Sequence, residues 1–200
     1  ISAFEKELIN AIKQIRNYKL ACEANIVTLA YKNPELLHTA HLKLEEFSNN
    51  IWRVYFAIAD DLIYKENKTV LDDITVGLYL EKHSKLKAKY EEYGGYDTII
   101  NAGAYVSIEN FDGYVKELRK WNAVVKIAKR GFPVNDRLSD FCDMSAEDIY
   151  DEYTAFLNDS FLYVDNDITT YNACDNLHEL IDELNEGKAV GMPLHNCTIL

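Results

Sequence analysis

The chain has 200 residues, 48% of them hydrophobic, with 8 Gly and 3 Pro. That length suits one domain, or one domain with an appended element, and so few turn formers argue against an all-β chain. The formal net charge of −12 is uneven: residues 1–130 hold 19 Lys/Arg against 18 Asp/Glu, and residues 131–200 hold 2 against 15, which excludes the last third as a phosphate-binding surface.

In chain order, Phe4, Leu8, Ile12 and Ile15 recur at three- and four-residue intervals and predict a helix over 3–20. A second, more apolar helix is predicted over 22–31, ending before the turn signal Asn33-Pro34 and restarting at Glu35. Residues 45–65 read as one helix with Phe47, Ile51, Val54, Ile58 and Leu62 on a face. Asp72 is placed to cap a helix carrying Ile74, Val76, Leu78 and Leu80. Gly94-Gly95 breaks the chain before a short helix at Tyr96–Ala102.

Ser107 is placed to cap a long helix reaching about Arg130. It bears two apolar stripes: Ile108, Phe111, Val115, Leu118 and Val125, and, rotated from these, Tyr114, Trp121, Val124 and Ala128. A helix apolar on two sides needs two packing partners, which predicts a helical hairpin that also packs on another subunit. Gly131-Phe132-Pro133 ends it, and Ser145 with Asp148 resembles a capping box opening a helix through Ile149, Tyr153, Phe156 and Leu157. Residues 158–172 lack a clean period and read as an exposed linker. Asn176 and Glu179 then stand as N-cap and N3 of a short amphipathic helix with Leu177, Leu180, Ile181 and Leu184 on one stripe and Gly187 at its stop.

The expected fold is therefore all-α: a small helical domain with a helical hairpin and a separate C-terminal linker helix. The expected divisions are an extension helix at 1–22, a domain at 23–157 containing the hairpin 108–157, and an acidic linker at 158–200 with its helix at 176–186. The candidate interface residues are Phe111, Tyr114, Val115, Leu118, Trp121, Val124 and Val125 on the hairpin, and Leu177, Leu180, Ile181 and Leu184 on the linker helix. An isolated helix as short as the last is marginal in water, so its stripe needs a surface to dock on.

Sites for chemistry are sparse. Cys22, Cys142, Cys174 and Cys197 have no metal-ligand spacing and read as free thiols of a reducing compartment. No apolar run approaches membrane-spanning length and no signal peptide is visible. His38 and His41, with Glu45 and Glu46 downstream, read as a solvated helix face rather than a zinc site, because the H-E-x-x-H arrangement is missing. His83, His178 and His195 read as surface residues. Gly187-Lys188 is no phosphate loop, since Asp182 replaces the required Gly and Ala189 the required hydroxyl. Lys82, Lys85, Lys87 and Lys89, with Tyr90 and Tyr93, are diluted by carboxylates and read as a solvated surface rather than a nucleic-acid patch. No nucleophile elbow is present. No catalytic, cofactor or metal site is expected in this chain.

The order of segments resembles the N-terminal region of DnaB-type hexameric replicative helicases. The resemblance runs over residues 23–200. It begins with Glu23-Ala24 through Asn33-Pro34-Glu35-Leu36-Leu37, followed by Glu46-Phe47 with Trp52-Arg53-Val54-Tyr55-Phe56-Ala57-Ile58. Leu71-Asp72-Asp73-Ile74-Thr75-Val76 with Leu80-Glu81, and the double glycine Gly94-Gly95-Tyr96, come next. Ile108-Glu109-Asn110-Phe111 with Tyr114-Val115 and Leu118-Arg119 resembles the hairpin helix. Leu177 to Leu184 and then Gly191-Met192-Pro193-Leu194 resemble the linker helix and the entry to a motor domain. Residues 1–22 have no counterpart in that pattern, and Trp121-Asn122 stand where the hairpin helix is usually more basic and apolar.

The resemblance implies an oligomerisation and docking module. Its hairpins would pair, from dimer to hexamer, into a collar that contacts primase and, in some systems, a helicase loader. The linker helix would dock on a neighbouring motor domain. ATP with magnesium, and most DNA contact, would belong to that motor domain beyond Leu200. The setting implied is the cytoplasm of a bacterium or a phage-infected host, and the abundance of Lys, Asn and Tyr suits either. A stand-alone adaptor that binds replication proteins is the second reading, separated from the first by whether a Walker A motif or a stop codon follows Leu200. A small metal-dependent hydrolase built on His38 and His41 is the third, separated by metal analysis.

Overall fold

The structure, a computed structural model, describes residues 2–164. Among these every regular element is helical and there is no strand, as the scarcity of Gly and Pro predicts. Two compact units are distinguished, Ile1–Asp151 and Glu152–Leu200.

Helix α1 runs without a break over Ala3–Lys32, where two helices are predicted. Nothing between Leu20 and Ala24 disfavours helix, and the change from a polar to an apolar stretch marks deeper burial rather than a break. Ser2 and Glu5 start it with a reciprocal capping box: Ser2 N–H donates to Glu5 Oε2 (2.6 Å), and Glu5 N–H donates to Ser2 Oγ (3.1 Å). The predicted extension helix is thus continuous with the central helix: Ala3 onward forms the first turns of α1, with Ser2 as the cap. The second half, with Ile26, Val27, Leu29, Ala30 and Tyr31 buried, is the axis of the core.

Helix α2 (Glu35–Ala40) follows Pro34, and α3 (Asn50–Asp60) begins later than predicted. Leu44–Glu46 form a separate 3₁₀ turn, because the Asn49 side chain starts a new helix by accepting from Ile51 N–H (2.8 Å) and Trp52 N–H (3.3 Å). Phe47, outside any helix, is still in the core and stacks on Phe56 at 4.3 Å. Residues Asp61–Lys65 extend α3 as one π-helical turn that buries Leu62 and Ile63.

Helices α4 (Asp73–Leu80), α5 (Ser84–Glu92) and α6 (Gly95–Gly103) complete the layer around α1 and α3. Asp72 caps α4 as predicted, accepting from Thr75 N–H at 2.8 Å. Val76 and Leu80 are buried, while Ile74 and Leu78 are exposed, because residues two apart in a helix cannot share a face. The double-glycine turn has positive φ at both Gly94 and Gly95. Its carbonyls are taken up by hydroxyls: Thr98 Oγ1 donates to Tyr93 O (2.7 Å), and Tyr55 Oη donates to Gly95 O (2.9 Å).

A 3₁₀ turn at Ile108–Asn110 leads into α7 (Phe111–Lys129), so Ser107 precedes the helical region without capping α7 itself. Gly131, at φ 93°, ends the passage. Helix α8 (Leu138–Asp143) is short. The Ser145–Asp148 box forms in both directions, at 2.9 and 3.0 Å, and opens α9. Helix α9 runs over Ala146–Val164. It therefore occupies the first part of the stretch predicted as linker from 158, since Asn158, Asp159 and Ser160 are individually tolerated inside a helix when no Gly or Pro interrupts. The predicted linker helix at 176–186, with Leu177, Leu180, Ile181 and Leu184, lies outside the described residues.

Candidate interaction surfaces on α7 and α9

Helix α7 packs principally against α1. Its buried residues are Phe111, Val115, Leu118, Lys120, Trp121, Val124 and Ala128. Five of the seven hairpin residues expected at a subunit interface, Phe111, Val115, Leu118, Trp121 and Val124, are therefore core residues of this chain. Only Tyr114 and Val125 stay half-buried. The second stripe does have a second partner, but that partner is the first half of α1. Tyr18 of α1 stacks on the Trp121 ring at 4.6 Å and 7°, and the indole N–H donates to Glu117 Oε1 at 2.7 Å. Lys120 closes the other side. Its ammonium lies 5.2 Å from the Trp121 ring centre and 2.9 Å from Glu117.

Beneath this contact is a buried polar clasp that periodicity does not reveal. Glu23 has no exposed surface and Lys19 almost none. The Glu23 carboxylate accepts from Ser48 N–H (2.7 Å), Ser48 Oγ (2.7 Å) and Asn49 N–H (2.9 Å). Lys19 Nζ lies 3.4 Å from Glu23, and donates to Glu46 O (2.8 Å) and Asn122 Oδ1 (2.7 Å). Asn122 in turn donates from Nδ2 to Glu46 O at 3.1 Å. Burial lowers the Lys19 pKa, and the neighbouring Glu23 offsets part of that shift. The clasp ties the 44–49 segment to α1 and α7. Its signal in the sequence is an i,i+4 Lys–Glu pair set between Ile15 and Ile26.

Outside the clasp, a shallow groove is lined by His41, Lys43, Glu45 and Glu46 and by Arg119, Lys126 and Lys129 of α7. Arg119 Nη2 donates to Ala40 O at 2.6 Å, which ties α7 to the end of α2. On α9, Tyr150, Leu157 and Phe161 recur at i, i+7 and i+11 and share one face. They are 67%, 40% and 71% exposed. This apolar surface lies on the other helix of the predicted hairpin, α9.

The remaining candidates are structural. The His38 ring packs edge-on against Tyr64 at 5.0 Å, and His41 sits in the left-handed conformation at the end of α2. Among the described residues no three His, Cys, Asp or Glu side chains are grouped closely enough to hold a metal ion. Tyr90 is buried in the core, so it offers no stacking platform beside the α5 lysines, and Lys82 and Lys87 reach Glu66 and Glu81 at 3.9 and 2.6 Å. Cys22 is buried and its thiol is pushed up to about 11 by burial, whereas Cys142 is exposed. No helix among the described residues is long and apolar enough to cross a membrane. No family model matches this chain, and no curated protein is significantly similar to it.

Proposed function

We propose that this chain is an oligomerisation and docking module of the kind found as the N-terminal collar of a DnaB-type hexameric replicative DNA helicase. In that role it joins copies of itself and presents a surface to primase or a helicase loader. ATP binding with magnesium, hydrolysis and strand translocation are left to a motor domain. The observation that carries the reading is the exposed apolar face of α9. Tyr150, Leu157 and Phe161 lie along one side of a 19-residue helix. Large exposed apolar patches on an otherwise polar surface mark interaction sites. A second copy offering the same face would bury both in a symmetric contact. The segment order that resembles the helicase collar supports the wider reading.

The test is sedimentation equilibrium of the 200-residue chain over a wide concentration range, beside a Leu157→Asp/Phe161→Asp variant. The wild type is expected to associate and the variant to remain monomeric with an unchanged helical spectrum. A strictly monomeric wild type, or association that the double variant leaves intact, would overturn self-association through α9.

A further inference from the structure

Helix α9 is acidic as well as apolar, and its acids are unevenly spread. Glu147, Asp148, Asp151 and Glu152 stand in its first two turns, only Asp159 follows, and Ala146–Val164 contains no Lys or Arg. Acids in the first turns complement the N-terminal end of the helix dipole, and Asp148 also closes the cap with Ser145. That explains them within one copy. Between two copies the same uneven spread makes the two ways of laying α9 against α9 unequal.

Tyr150, Leu157 and Phe161 fall within about 40° of one another around the helix. Glu147 is the nearest carboxylate, about 60° from the middle of that stripe, while Asp148, Glu152 and Asp159 point to the far side. In a parallel pair Glu147 of one copy stands beside Glu147 of the other at the flank of the contact. The acidic halves and the like ends of the two dipoles are then aligned, which is repulsive. In an antiparallel pair each acidic half meets a half that holds only Asp159, and Glu147 stands beside a last turn without a carboxylate.

We propose that self-association through α9, the reading on which this inference rests, is antiparallel about a two-fold axis beside residues 155 and 156. Tyr150 and Phe161 are equally far from that axis along the chain, so Tyr150 of each copy lies opposite Phe161 of the other. The two Leu157 side chains meet near the axis. All three exposed side chains are covered in this register, and two aromatic pairs form. The contact is self-complementary and closes on itself, so it makes a dimer and not an open chain.

The test is cross-linking of the full 200-residue chain with a bis-maleimide that spans the roughly 8–10 Å between packed helix axes. Cys142, Cys174 and Cys197 are replaced by Ser, and the buried Cys22 is kept. Tyr150→Cys, Leu157→Cys and Phe161→Cys are then made singly. Leu157→Cys should cross-link to itself. Mixed Tyr150→Cys and Phe161→Cys should give the mixed dimer, and neither should cross-link to itself, because like positions then lie roughly 16 Å apart along the helices. Self-cross-linking of Phe161→Cys without the mixed product would mean a parallel pair and overturn the proposal.

Losing an aromatic ring can itself weaken association, so sedimentation equilibrium of Tyr150→Ala, Phe161→Ala and the double variant provides a second measurement. Within one copy the two residues are about three turns apart and do not touch. Across the antiparallel contact they do. Each single change should weaken association roughly tenfold, and the double variant by clearly less than the product of the two. Effects that multiply in full would refute the pairing. A wild type that stays monomeric sinks self-association itself; an associating wild type with parallel products, or with neither product, sinks only the orientation.

Discussion

Removing the Glu23 carboxylate tests the buried clasp most directly. In Glu23→Ala, Ser48 N–H, Ser48 Oγ and Asn49 N–H lose their acceptor at a site with no exposed surface. Lys19 keeps Glu46 O and Asn122 Oδ1 but loses the carboxylate at 3.4 Å. Breaking a buried ion pair by removing one partner costs about 3–5 kcal/mol, because the remaining charge is left uncompensated. A chain of this size loses roughly 2–4 °C per kcal/mol, so the thermal midpoint should fall by about 6–20 °C. Urea unfolding followed by circular dichroism should show the same loss at an unchanged slope. The double variant Lys19→Met/Glu23→Leu removes both charges together and should recover the part of that loss due to the uncompensated Lys19 charge, while the Ser48 and Asn49 donors stay without their acceptor. A Glu23→Ala protein within about 1 kcal/mol of the wild type, or a double variant as unstable as the single, would refute the account of the clasp as a charge-compensated unit.

Trp121→Ala should destabilise by about 3–5 kcal/mol in urea unfolding, because the ring is core here and stacked on Tyr18; a folded, fully stable variant that only loses self-association would restore Trp121 to a subunit interface. Two glycines should respond in opposite directions in the same assay. Gly94→Ala should lose about 1–2 kcal/mol, since φ is 93° and a Cβ would sit 2.5 Å from Thr98 Oγ1. Gly77→Ala, in the middle of α4 with nothing within 4 Å of the added carbon, should gain about 0.5–1 kcal/mol. Cys22 sets an alkaline limit. Its folded pKa is raised to about 11 by burial, above the ordinary thiol value, so the unfolded chain releases its proton first as pH rises. Stability should be fully present below about pH 8.5 and decline towards pH 11, and Cys22→Ala should flatten that decline in chemical unfolding at matched pH values.

Caps, turns and strong periodicity were legible because each depends on a few adjacent residues. Asp72, Gly94-Gly95, Gly131 and the Ser145–Asp148 pair act where the sequence places them. The face of α1 that meets α7 was not legible. The apolar run Phe4, Leu8, Ile12, Ile15 suggests one face, yet the buried positions are Ala11, Ile15, Lys19 and Cys22. Ala is too small to weigh in a hydrophobic pattern, and Lys19 is buried only because Glu23, Glu46 O and Asn122 Oδ1 compensate it at long range. From sequence alone that face is hidden, so Trp121 and Val124 read as unpartnered and point to another subunit.

The two stripes of α7 still required two partners, and the structure supplies both inside the chain. A pattern of this kind fixes how many surfaces a helix must meet, not which molecule carries them. What separates a core stripe from a docking stripe is whether any other element of the chain can reach it. Trp121 is reached by Tyr18 across the α1–α7 contact. Tyr150, Leu157 and Phe161 of α9 stay exposed. The case for association therefore moves from α7 to α9 on exposure alone. That helix is not free of charge: α9 carries Glu147, Asp148, Asp151, Glu152 and Asp159 and no Lys or Arg, so apposed copies would have to keep these carboxylates outside the apolar contact.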